Sequence, residues 1–147
     1  MIENIKTLIT QENAQMVKHV DMYEYDFEYL GVKAKVVRYS EYSHLCGYLK
    51  TDFEVTDEIY QTLDDNSHGG ITYERDGWIG FDCAHAFDFS LDRYLLMEEM
   101  NLQESLTRIM ESETYRDLNY VIETLKHMIS AMTVERIKYE NSVEESK

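Results

Sequence analysis

The chain has no proline, only two cysteines (Cys46 and Cys83), six glycines and a single tryptophan in 147 residues. Without proline no reversal is preset by a locked φ, so glycine, asparagine and aspartate must make the turns. Two cysteines are too few for the disulfide framework of a small secreted domain, and free thiols in a reducing compartment are the plain reading. No apolar run approaches the ~18 residues a membrane span needs. The opening MIENIKTLITQENAQ places acids and amides where a secretory leader would carry its apolar core. The expectation is a soluble, cytoplasmic protein. Basic side chains are scarce as well: 14 Lys and Arg stand against 29 Asp and Glu, a formal net charge of -15. A field of that sign repels DNA, RNA and anionic lipid, which excludes nucleic acid and membrane as partners. A basic protein surface, a small ligand in a pocket of different local charge, or a second copy of the chain remain. The acids are spread along the chain rather than gathered into a block, which argues against a disordered acidic tail.

What is present points to one α+β domain. Hydrophobic residues make up 44% of the chain, enough for one core, and the mean hydropathy is -0.49. Residues 3–20 predict an N-terminal helix, with Ile5, Leu8, Ile9, Met16, Val17 and Val20 near a period of 3.6. Residues 22–30 and 32–39 alternate and are rich in aromatic and β-branched types, so they predict a hairpin turning at Gly31. Tyr23, Tyr25, Phe27 and Tyr29 fall on its inner face, and Glu24, Asp26 and Glu28 on its wet face. Residues 44–50 read as another strand, followed by the polar stretch 51–67. Ile71–Tyr73 and Trp78–Cys83 then flank Asp76-Gly77, a strong hairpin signal. The antiparallel core is thus bounded at 22–89 and a helical part at 91–139. Leu91–Met110 is rich in Leu, Met and Glu, and Thr114 to Asp117 fits a capping pattern. Leu118, Val121, Ile122, Leu125, Met128, Ile129 and Met132 form one stripe, predicting a long C-terminal helix of about 20 residues or more, near ~30 Å. Residues 140–147 are expected to fray.

Three groups of residues could carry chemistry. His44-x-Cys46 and Cys83-x-His85 offer two thiols and two imidazoles, the donor types of a tetrahedral zinc site. Ligands two apart on a strand share a face but splay, so buried thiols and hydrogen-bonded histidines are the competing reading, and no metal is expected. Cys83 with His68 or His85 has the residue types of a nucleophile and its base, but Phe81, Asp82 and Ala84 supply no cation to lower the thiol pKa. His68-Gly69-Gly70 is too short for a nucleotide fingerprint. The third group is Arg116, between Tyr115 and Asp117 where the last helix begins. A helix start offers free N–H groups to an anion, a guanidinium forks onto phosphate, and a neighbouring ring stacks on a base. A surface ion pair with Asp117 or Glu113 is the plainer alternative. The stripe on the last helix also exceeds what one small sheet needs to cover, which points to a homo-oligomer formed through that helix.

The blocks HLCGYL, HGGITYERDGWIGFDCAHAFD and TYRDLNYVIETLKHMI, in that order over about residues 44–132, resemble a family of small phage and prophage proteins. Its characterised branch is the first type of Thoeris anti-defence protein. The resemblance implies a non-enzymatic sponge. It would sequester a cyclic ADP-ribose isomer made by bacterial TIR-domain proteins, inside an infected cell and without any cofactor. It also implies homo-oligomers with ligand sites between subunits at the C-terminal helices. Carried onto this chain, it points to Arg116 for phosphate, Tyr115 or Phe81 for base stacking and Asp117 for ribose hydroxyls, with His68, Gly69, Gly70, Asp82, Cys83 and His85 as scaffold. The chain departs from the compact pattern in its long N-terminal helix and in the insertion over 89–113. The runner-up from charge alone is an acidic protein that mimics nucleic acid and occupies a basic host defence factor.

Overall fold

The computed structural model describes residues 1–146. In chain order the elements are α1 (Ile2–Gln15), β1 (Val17–Lys18), β2 (Tyr23–Tyr29), β3 (Val32–Arg38), β4 (Leu45–Lys50), α2 (Asp57–Asn66), β5 (Tyr73–Arg75), β6 (Trp78–Asp82), α3 (Leu91–Glu99), α4 (Gln103–Ser112) and α5 (Leu118–Glu145). The strands form one antiparallel sheet in the order β1-β2-β3-β4-β6-β5. The α+β class, with a helix at the N-terminal end and a long one at the C-terminal end, is as the sequence predicts.

Both tight hairpins turn on two residues with positive φ, Leu30 (49°) with Gly31 (77°) and Asp76 (54°) with Gly77 (78°). That pattern twists with the strands it joins. The alternation in β2 and β3 then aims Tyr23, Tyr25, Phe27, Tyr29, Val32, Ala34 and Val36 at the main core. α5 lies over β3 and β4 and seals this face with Val121, Leu125, Met128 and Met132, all fully buried. Gly47 of β4 makes the approach possible: a Cβ there would lie 2.8 Å from the Phe81 ring and 3.0 Å from Val121. A second cluster joins α1 to α3 and α4 through Ile9, Phe89, Leu91, Tyr94, Leu106 and Ile109.

Several boundaries differ from the expected ones. The first helix stops at Gln15, and Val17–Lys18 pair with β2 instead. Val17 and Val20 are 65% and 92% exposed, so their fit to a helical stripe carried no burial. The polar stretch 51–67 contains α2, capped by Thr56, whose hydroxyl accepts from Ile59 N–H at 3.2 Å. The strand expected over Ile71–Tyr73 runs over Tyr73–Arg75, and its return ends at Asp82 rather than Cys83. The helical region from Leu91 is broken by Asn101 at φ 57°, which separates α3 from α4. α5 is 28 residues long, about 42 Å, and continues through Glu145 into the segment expected to fray. Lys147 lies outside the described residues.

Candidate functional site

The motif-bearing blocks converge where β6 ends and α5 begins. Asp88 and Thr114 form an isolated parallel bridge, with Phe89 N–H donating to Thr114 O (2.8 Å) and Thr114 N–H to Phe87 O (2.8 Å). This stitch sets the Asp88 carboxylate, buried at 1% side-chain exposure, beside Arg116. Arg116 Nε donates to Asp88 Oδ1 at 3.0 Å. The other oxygen, Oδ2, accepts from the His85 backbone N–H at 3.0 Å and lies 2.7 Å from His68 Nε2. His68 Nδ1 in turn lies 2.7 Å from the Tyr120 hydroxyl on α5. Burial works to raise the Asp88 pKa, but the bonds from His68, the His85 amide and Arg116 outweigh it and hold the carboxyl below its ordinary value. An ionised carboxylate only accepts, so His68 donates to Asp88 through Nε2.

Gly69 lets the histidine of the second motif close in. Its φ is 73°, and a Cβ there would meet His85 Nδ1 at 2.8 Å. That His85 Nδ1 is buried and has no hydrogen-bond partner; it stands 3.7 Å from both Asp82 Oδ1 and Asp88 Oδ2. Cys83 lies below, in the main core, and burial together with the Asp88 charge pushes its thiol far up. Cys46 belongs to a separate cluster with Val37 and Tyr48, and burial pushes its thiol up to about 11. The grouping of metal-ligand donors found among the described residues is therefore His68, His85 and Asp88, not the His44, Cys46, Cys83 and His85 set of the motif spacing.

A second polar network anchors the other side of the same helix start. Arg38 is fully buried and pairs with Glu12 at 2.8 Å, while also donating to Asn13 Oδ1 (2.5 Å) and Ser43 O (3.0 Å). Glu12 Oε1 also accepts from the Tyr115 hydroxyl at 2.5 Å, and Tyr115 touches Arg38. Glu12 Oε2 accepts from Leu118 N–H at 2.6 Å, and Asp117 Oδ1 accepts from Tyr120 N–H at 2.8 Å. Two carboxylates thus already occupy the positive end of α5. The expectation that this terminus offers its amides to an anion is corrected accordingly.

The four residues singled out by sequence fare differently. Arg116 keeps a usable edge. Its side chain is 28% exposed and its guanidinium lies 5.1 Å from the centre of the Tyr120 ring. Nε is the only guanidinium nitrogen with a hydrogen bond among the described residues. Asp117 spends one oxygen on the helix cap and keeps the other. Tyr115 has its hydroxyl locked to Glu12, and burial pushes its pKa up; its ring borders a hollow of about 230 Å³ with Ile5, Phe89 and Met110. Phe81 is 1% exposed inside the main core, so its ring has no face for a base to stack on. Five surface hollows of about 230 to 430 Å³ are lined by other residues than Arg116. Asp88 and Tyr120 were not picked out by sequence reasoning. Both lie inside the blocks HGGITYERDGWIGFDCAHAFD and TYRDLNYVIETLKHMI, where no local spacing marks either as a contact of the site. The chain matches no protein-family model, no curated protein and no solved structure.

Proposed function

We propose that the chain is a non-catalytic binding protein that captures a cyclic nucleotide of the cyclic ADP-ribose type and thereby blocks a TIR-generated defence signal in an infected bacterial cell. The observation that carries this reading is the posture of Arg116. Asp88 holds it through Nε, the Tyr120 ring centre lies 5.1 Å from the guanidinium, and the two Nη nitrogens that would fork onto phosphate make no hydrogen bond among the described residues. A guanidinium preset in this way loses little side-chain entropy when a diphosphate arrives. In this reading the second Asp117 oxygen, not used by the helix cap, accepts from a ribose hydroxyl. The pocket around Arg116 is, in this reading, completed by a second copy of the chain. Val134 and Ile137, each 53% exposed on α5, provide apolar surface for that contact. The raised thiol of Cys83 and the enclosed His68–Asp88 pair favour holding a ligand over attacking it.

Calorimetric titration with cyclic ADP-ribose isomers tests the reading. Wild-type protein is expected to bind one isomer, and Arg116→Ala to weaken it by ~1.5–3 kcal/mol, a loss of tenfold or more. Absence of heat for every isomer, or equal affinity for Arg116→Ala, would sink it.

A further inference from the structure

We propose that His68, His85 and Asp88 form a binding site for a first-row divalent metal ion, with zinc as the fitting probe. The inference does not depend on the nucleotide reading, although the Arg116–Asp88 bond enters both. Two imidazoles and one carboxylate are the donor types that zinc takes, at about 2.0–2.2 Å from the ion. Tetrahedral donors at that range are roughly 3.3 Å apart. Here His68 Nε2 is 2.7 Å and His85 Nδ1 3.7 Å from Asp88 Oδ2, on either side of that spacing. The set of three lies within 4.8 Å.

His85 Nδ1 is the telling atom. It is buried without a partner, a state that costs free energy unless something answers it. It stands 3.7 Å from two carboxylates, Asp82 and Asp88, and Gly69 has no side chain to hold it away. The surroundings have the form of a supporting shell. Metal-bound histidines fix their other ring nitrogen by a hydrogen bond, and His68 Nδ1 already faces the Tyr120 hydroxyl at 2.7 Å. Ligating carboxylates are themselves held, and Asp88 Oδ1 is held by Arg116 at 3.0 Å. Binding requires His68 to present a bare Nε2 and to draw it away from Asp88 Oδ2 to the spacing of two ligands on one ion. Nε2 gives up its proton, and Nδ1 carries one and donates it to the Tyr120 oxygen. Asp82 Oδ1, 3.7 Å from His85 Nδ1, already accepts from Ala84 N–H at 3.1 Å, so the fourth position is left to a water, as in open zinc sites.

The test is equilibrium dialysis of the full chain against zinc chloride, with cobalt(II) as a spectroscopic substitute. One zinc per chain is expected, with visible ligand-field absorption of tetrahedral cobalt. His85→Ala removes the orphan nitrogen and breaks no hydrogen bond made by that side chain, so the fold is retained and affinity should fall at least tenfold. His68→Gln should do the same. A His19→Ala/His127→Ala double variant removes two exposed histidines and should bind as wild type. No retained zinc, or equal retention by His85→Ala, would overturn the proposal. Nucleotide titrations run in chelator keep the two readings separate.

Discussion

Arg38 and Arg116 show what a guanidinium does in an acidic chain. Arg38 has 0% exposure and meets carboxylate, amide and carbonyl oxygens on its Nε and both Nη atoms, so it holds elements together. Arg116 is tied at one nitrogen and keeps an edge for something else. The thiols belong at the same scale. Burial is the largest cause raising both, and the neighbouring Asp88 and Asp82 charges add to it. At pH 8 both are therefore thiols rather than thiolates. Native protein should react with neither equivalent of a thiol-exchange dye over minutes, and denatured protein with both. Fast reaction of Cys83 in the native state would revive a nucleophilic role that the structure argues against.

At the scale of elements, α1 is tied to the rest by more than its apolar face. Glu12 is the joint, bonding Arg38 of β3, Tyr115 ahead of α5 and the first amide of α5. Glu12→Ala leaves Arg38 buried and unpaired, and should cost about 3–5 kcal/mol in urea unfolding. Glu3→Ala, at a side chain 86% exposed, should stay within ~0.5 kcal/mol. Equal effects would remove the joint from the account. Legibility divides along the same line. α5 was readable because Leu118 to Met132 repeat at spacings of three and four, and the hairpins because Asp76-Gly77 and Gly31 mark their turns. α2 was not, because it buries only Ile59 and Leu63, too few to show a period. Val17 and Val20 misled because an apolar side chain says nothing about whether a surface is there to cover it. The site itself was half legible. The motifs marked His68, His85 and Arg116, but Glu12 with Arg38 and His68 with Asp88 are 26 and 20 residues apart, and no local pattern encodes such a pairing.

At the scale of the molecule, a net charge of -15 stands against the proposed capture of an anion. A preset guanidinium beside the helix start resolves that conflict locally, since a contact at hydrogen-bond range outweighs a diffuse, salt-screened field. No helix among the described residues is long and apolar enough to cross a membrane. Mass spectrometry of small molecules released from the protein, after exposure to an extract containing active TIR enzyme, tests the central claim most directly. A cyclic ADP-ribose isomer should be recovered at unchanged mass from wild-type protein and be absent from Arg116→Ala. Wild-type protein that releases no nucleotide, or only a hydrolysed one, would contradict it.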